Sequence, residues 1–391
     1  GYATALVGKW HLGYPPHFGP LKSGYAEFFG ALSGGLDYFT HCDTSGTHDL
    51  WDGETEVHRI GYLTDLISDR AIDFIARRRG DARPFLLSVH YTAPHWPWEA
   101  RGDEAEANLL ASRREHIGHV SGGSVDTYLA MIHHMDEGIG RLLSELKAVS
   151  ADENTMVVFT SDNGGERFSD VWPLTGKKMD LLEGGIRVPY VVRWPARVKP
   201  GGLTAQLAIT MDWVPTFLEA AGVAPHPDYP LDGASLLGVL QNPGATFDRE
   251  LFWRMNFRAQ RAMRSGRWKY LSTEDGEFLY DLAADARERA NRAARGARNG
   301  SRKTRAALGP RGFGIRARVR VPGLGGRWSC SRSCNRRRLC SLDRRCNKTR
   351  SPRRCTSCPC RRRSCNRSDT CRRCTMRRCS CRRRTRCCTP G

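Results

Sequence analysis

Through the first 220 residues, apolar runs alternate with amphipathic stretches, the pattern of a sheet covered by helices. Three runs are short, β-branched or aromatic, and nearly continuous in apolarity: Pro84–Tyr91, Thr155–Thr160 and Val188–Trp194. Such runs predict buried strands. Leu63, Leu66, Ile67, Phe74 and Ile75 share one helical face, with Gly80 as the expected stop. Leu129, Ile132, Met135, Ile139, Leu142, Leu143 and Leu146 predict a second helix, with Ser124 as its N-cap. A third helix is expected from about Asp212 to Ala221, ending at Gly222. From Arg249 the period shortens. Leu251–Arg254, Arg261–Arg264, Trp268–Leu271 and Phe278–Leu282, separated by Gly, Ser and Asp, read as an antiparallel sheet.

After about residue 292 the periodicity stops. Charge and cysteine divide there as well. Residues 301–391 hold 30 Lys and Arg against two acids, so the chain's +21 conceals a first 300 residues with 32 basic and 39 acidic side chains. The nucleic-acid reading of a basic chain therefore applies only to the tail. Cys42 is alone in the first 300 residues, whereas 14 cysteines lie between Cys330 and Cys388, so the globular part has no disulfide framework. No apolar run is long enough for a membrane span.

In α/β sheets functional groups collect where strands end at their carboxyl side, and four polar clusters follow strand-like runs. Gly8-Lys-Trp-His-Leu-Gly13 sets Lys9 and His11 two apart between glycines, suited to an anion; a turn with a surface Lys and a structural His fits equally. Thr92-Ala-Pro-His-Trp-Pro-Trp98 holds His95 on stiff backbone, as a general acid requires, or as a His packed between tryptophans. Ser161-Asp-Asn-Gly-Gly-Glu166 offers Asp162 and Asn163 as hard oxygen ligands for Ca²⁺ or Mg²⁺, or a common turn. Gly176-Lys-Lys178 before Glu183-Gly-Gly-Ile-Arg-Val-Pro189 supplies a further ammonium, Lys178, or a solvated loop.

The order of these clusters resembles that of the sulfatase family, within the alkaline phosphatase superfamily. Gly1-Tyr-Ala-Thr-Ala-Leu-Val-Gly-Lys-Trp-His-Leu-Gly13 is similar to that family's second signature almost residue for residue. The likeness continues through Gly24–Gly30, Asp37–His41, Tyr91–Pro97, Met211–Thr216, Asp232–Leu237 and Leu279–Leu282. It implies an alkaline-phosphatase-like α/β fold, a central mixed or mainly parallel sheet flanked by helices, with a smaller C-terminal antiparallel subdomain and a disordered tail. The expected divisions are 1–245, 246–292 and 293–391.

The family hydrolyses sulfate esters with a formylglycine, made from the Cys or Ser of a C/S-x-P-x-R motif, and a divalent ion, usually Ca²⁺. By resemblance, Asp162 and Asn163 are metal ligands, Lys9 and His11 hold the formylglycine hydrate and the sulfate, and His95 and Lys178 face the sulfate ester. His95 is the candidate for protonating the leaving oxygen. The expected substrate is a sulfated small molecule or carbohydrate, and the expected location periplasmic, secreted or lysosomal. A phosphate or phosphonate ester hydrolase of the same superfamily is the alternative. No C/S-x-P-x-R motif lies upstream of Gly1, and the family's N-terminal Asp-Asp ligands are missing too, so the expectation is an N-terminally truncated polypeptide that is inactive as written.

The tail carries a second possibility. Cys355-x-x-Cys358 and Cys371-x-x-Cys374 have the spacing of a zinc ribbon beside many arginines. The stretch from Cys355 to Cys374 contains no aliphatic or aromatic residue to pack beside a metal, and the other cysteines fit no single scheme. The abrupt change of composition reads as a frameshift or misassembled gene, or else as a disordered basic tail.

Overall fold

A computed structural model describes residues 1–112 and 122–293. The expectations for the tail lie outside these residues.

The central sheet has five strands: β1 (Ala3–Gly8), β2 (Glu27–Gly30), β3 (Trp51–Asp52), β4 (Thr55–Glu56) and β5 (Phe85–His90). Their order is β4-β3-β2-β1-β5. β1 runs parallel to both β2 and β5, while β2–β3 and β3–β4 are antiparallel, so the sheet is mixed, as expected. Helices α1 (Leu63–Ala76) and α3 (Val125–Ala148) cover one face, with α2 (Glu104–Ser112) between them in sequence. Val7, Phe29, Leu36, Tyr38, Leu50, Leu63, Ile67 and Met131 form the core between these layers.

Local chemistry explains the helix ends. Ser124 Oγ accepts the Thr127 N–H at 3.0 Å, the N-cap bond expected of it. Gly222 follows α5 (Trp213–Ala220) with φ 68°, a left-handed stop. α1 ends earlier than Gly80 suggests. Arg77 caps it, and turns carry the chain to Gly80, where φ reaches 74°. The buried stripe of α3 also differs from the expected one: Met131, Gly138, Leu142 and Leu146 face inward, while Leu129 is exposed. The cause is a close approach of α1, because a Cβ at Gly138 would fall 2.3 Å from Ser68 Oγ.

The three strands expected to be buried are half-exposed instead. Leu86 on β5, Phe159 on β6 (Val157–Thr160) and Val191 on β7 (Tyr190–Arg193) reach solvent. β5 has β1 as its single strand neighbour, and β6 and β7 pair antiparallel with each other alone among the described residues. No third strand flanks them on their outer sides there.

Near the end lies an antiparallel sheet of β8 (Glu250–Met255), β9 (Gln260–Ser265), β10 (Trp268–Thr273) and β11 (Gly276–Asp281), in order β11-β10-β9-β8. Ala262, Leu271 and Tyr280 pack it onto Leu181, beside the short helix α4 (Glu183–Ile186). A buried pair ties its first strand to the start of α5. Arg249 donates to both oxygens of Asp212 at 2.6 and 2.9 Å, and Asp212 also accepts from the Ile209 and Ala234 N–H groups. No helix of the described residues is long and apolar enough to cross a membrane.

Candidate active site

The carboxyl ends of β1, β5 and β6 deliver the candidate residues. β1 and β5 are parallel neighbours, so the loops that leave them start side by side. The backbones there approach more closely than a side chain permits. A Cβ at Gly8 would lie 2.0 Å from the His90 carbonyl oxygen, and one at Gly30 would lie 2.0 Å from that of Gly8. Lys9 N–H donates to the His90 carbonyl at 2.9 Å, and His11 N–H donates to the Leu32 carbonyl at 3.1 Å. His11 takes φ 55°, and its ring lies against Gly34, where a Cβ would meet it at 2.3 Å. Strained backbone at a polar side chain is a recurrent mark of a binding site.

His95 sits five residues beyond β5. Its carbonyl accepts the Tyr38 hydroxyl at 2.9 Å, and its Nδ1 lies 2.7 Å from the Trp96 carbonyl oxygen. A carbonyl can only accept, so Nδ1 carries the proton and the neutral ring presents a lone pair at Nε2. Burial first, then the charges of Lys178 and Lys9, push its pKa down to about 4.

Asp162 and Asn163 follow β6 directly, and Lys178 lies on the loop between β6 and β7. Lys178 N–H donates to the Gly165 carbonyl at 2.7 Å, and its ammonium is 3.4 Å from Glu166. Lys9 is lowered by burial first and then by Lys178, with Asp162 opposing. Partial burial, Lys9 and Lys178 lower His11, again against Asp162. Five of the six predicted residues, Lys9, His11, His95, Asp162 and Lys178, thus lie within one another's electrostatic reach. Asn163 follows Asp162 in the chain, and its carbonyl accepts the Ser161 hydroxyl at 3.0 Å.

His90 was missed at the sequence level. Its Nδ1 is 3.0 Å from the Lys9 carbonyl, and although one edge reaches solvent, desolvation by its neighbours lowers its pKa. As the last residue of an apolar strand it carries no motif of its own. The segment that leads into β3 contributes as well. Asp43 and Thr44 line a small cleft with Gly35, Trp96 and Pro97, next to His95.

Electrostatically this is a pocket with two ammonium groups, one already paired, three imidazoles held toward neutrality, and one carboxylate with no hydrogen bond or ion pair to a described residue. It suits a tetrahedral oxyanion, bound by lysines in partly desolvated surroundings. Asp162 and Asn163 fit a hard divalent cation as far as they go. Calcium takes about six to eight oxygens, so these two are part of a ligand set.

The sulfatase family profile matches residues 1–223, and a profile described as "N-sulphoglucosamine sulphohydrolase, C-terminal" matches residues 175–299. N-acetylgalactosamine-6-sulfatase of Canis lupus familiaris is 32% identical over 276 residues, covering 65% of this chain and 49% of the relative. Arylsulfatase J of Mus musculus is 33% identical over 243 residues, covering 60% and 39%. The chain spans about half the length of the first of these relatives and less of the second. Among solved structures, Ps i-CgsB in complex with k-i-k-neocarrahexaose superposes with a TM-score of 0.64 at 28% identity, covering 76% of this chain and 68% of the other. With the profile spanning more than half of its length, from the β1 strand through α5, this chain belongs to the sulfatase family.

Proposed function

We propose that this chain forms the sulfate-gripping part of a sulfuric ester hydrolase acting on a sulfated small molecule or carbohydrate. One observation carries the reading: Lys9, His11 and His95, at the ends of β1 and β5, each lie within the electrostatic reach of both the Asp162 carboxylate and the Lys178 ammonium, and Asp162 has no hydrogen bond or ion pair to a described residue. In sulfate-ester hydrolysis, negative charge spreads over the sulfuryl oxygens and the leaving oxygen, so ammonium groups are the apt stabilisers. Lys9 and Lys178 bind and orient the sulfuryl oxygens. Asp162 and Asn163 hold a divalent ion, Ca²⁺ in our reading, with further oxygens from water, substrate and groups beyond the described residues. That ion, with the formylglycine the family generally uses, supplies electrophilic polarisation and the nucleophile.

His95 donates the proton to the leaving alcohol or phenol oxygen. Its low pKa makes it neutral at pH 7 in the free site, so the proton has to be taken up with the substrate. A bound sulfate ester brings the negative charge that offsets Lys9 and Lys178, raising His95 toward its working range.

The test is calorimetric titration of the 391-residue chain with inorganic sulfate, with and without Ca²⁺. Lys9→Met and Lys178→Met are each expected to weaken sulfate about 10- to 100-fold, the ~1.5–3 kcal/mol of a hydrogen bond to a charged group. Sulfate binding that ignores both substitutions overturns the reading. The one C/S-x-P-x-R match in the sequence, Ser357-Cys-Pro-Cys-Arg361, lies in the Arg- and Cys-rich tail rather than ahead of the Lys9–His11 signature, and two oxygen ligands are short of a calcium set. The polypeptide alone is therefore expected to bind sulfate without turning over an aryl sulfate. Metal-dependent turnover by it would refute that expectation.

A further inference from the structure

The β3–β4 hairpin carries a cluster with a chemistry different from that of the lysine-rich site. His48 precedes β3, Glu56 ends β4, and His58 lies two residues beyond it. One ligand atom from each falls within 4.8 Å of the others, the one such His, Cys, Asp or Glu triplet among the described residues. His48 Nδ1 is 2.9 Å from Glu56 Oε1, His58 Nε2 is 3.9 Å from the same oxygen, and the two imidazoles stack with centroids 4.0 Å apart.

We propose that His48, Glu56 and His58 form a site for a borderline divalent transition metal of the Zn²⁺ or Co²⁺ class. Two imidazoles and a carboxylate are the donor set such ions favour over Ca²⁺. Bonds of about 2.0–2.1 Å at tetrahedral angles put ligand atoms roughly 3.4 Å apart. The two distances to Glu56 Oε1 bracket that value, so small rotamer changes close the set. A metal displaces the His48–Glu56 hydrogen bond and leaves the fourth position to water.

The backbone prepares this arrangement. His48 bridges Cys42 as an isolated antiparallel pair, Asp49 N–H donates to the His41 carbonyl at 2.9 Å, and the His48 side chain is only 16% exposed. Across the hairpin, Trp51 pairs with Glu56. Glu56 and His58 are 44% and 78% exposed, so an ion reaches the site from solvent and only the outer ligands need to move. A bound metal would join the segment entering β3 to the one leaving β4. Because Asp43 and Thr44 of that first segment line the cleft beside Trp96, the ion would stiffen this rim. The site does not depend on the sulfate reading.

The experiment is a Co²⁺ titration of the full chain, followed by visible absorption. Imidazole and carboxylate ligation gives d–d bands without the thiolate charge-transfer absorption that the tail cysteines would add. One equivalent of Co²⁺ of the nitrogen/oxygen type is expected, displaced by Zn²⁺. Affinity at this equivalent is expected to fall by more than about tenfold, the least that losing even an outer-sphere partner costs, in His48→Ala, Glu56→Gln and His58→Ala. His58 is so exposed that the metal-free melting temperature of His58→Ala should match the parent, which separates ligation from folding. If no such equivalent forms in the parent, or if it persists at the same affinity in His58→Ala and His48→Ala, the proposal is overturned.

Discussion

Lys269→Met is expected to cost about 3–5 kcal/mol of folding stability, the range for removing one partner of a buried ion pair. Lys269 is fully buried on β10, with its ammonium 2.9 Å from Glu183 Oε1 and 2.8 Å from Glu288 Oε1. Glu288 Oε2 accepts the Glu183 N–H at 2.6 Å, and Arg264 reaches Glu183 at 3.3 Å. Burial raises the Glu288 pKa, and Lys269 opposes that shift. Methionine fills the space but leaves the buried Glu288 without a counter-charge and Glu183 with the more distant Arg264 and Arg187 alone.

The consequence should extend to anion binding. Glu183 opens α4, and the adjoining glycines hold the site loops: Gly184 N–H donates to Thr175 at 2.7 Å, and Gly164 N–H donates to Gly185 at 2.9 Å. Those contacts set the loops carrying Lys178 and Asp162. Urea denaturation reads the first effect and sulfate calorimetry the second. Adding Glu183→Gln and Glu288→Gln should restore much of the stability lost, because the uncompensated buried charge goes. A single Lys269→Met variant within about 1 kcal/mol of the parent would contradict the account.

Glu183 also marks the limit of what the sequence could disclose. The helix cap at Ser124 and the stop at Gly222 were readable because capping chemistry is local, spanning three or four residues. The proximity of Lys9, His11, His95 and Asp162 was legible for a related reason: each follows a strand-like run, and strand ends place loops. Glu183 looked like part of a charged turn because Lys269 and Glu288, its partners, are 86 and 105 residues away. The stripe on α3 was misjudged because its rotation is set by the Gly138–Ser68 approach to another helix. Exposure of β5, β6 and β7 was equally hidden, since a strand's own composition says nothing of how many neighbours it has. The His48–Glu56–His58 triplet depends on hairpin register, which no spacing rule supplied.

A pH-dependent stability that declines from about pH 5 to 9 is expected from Glu99. This side chain is 4% exposed, its Oε2 accepts the Tyr38 N–H at 3.0 Å, and its pKa is raised to about 9, by burial first and then by the negative charge of Asp37. Glu99 Oε1 and Asp37 Oδ2 otherwise lack partners. A proton on Glu99 supplies the donor that two carboxylates lack. Because the folded pKa lies above that of the unfolded chain, the folded state keeps a proton that the unfolded state releases. The stabilisation is therefore complete below the unfolded value near 4.5 and is lost as pH rises through about 9. At 1.36 kcal/mol per unit, the ceiling is on the order of 6 kcal/mol, and relaxation of the interior reduces it. Glu99→Gln keeps an acceptor for Tyr38 and a donor for Asp37 without an ionising group. It should flatten the urea midpoint across this window and exceed the parent in stability at pH 8. Parent and variant profiles that run parallel from pH 5 to 9 would refute the assignment. The same charge bears on the proposed sulfate site, because Glu99 closes the loop that carries His95. The Tyr62 hydroxyl donates to the Glu99 carbonyl at 2.7 Å, and the Tyr38 hydroxyl donates to that of His95. Ionising Glu99 loosens both anchors, so sulfate affinity should fall on the alkaline side in the parent and hold in Glu99→Gln.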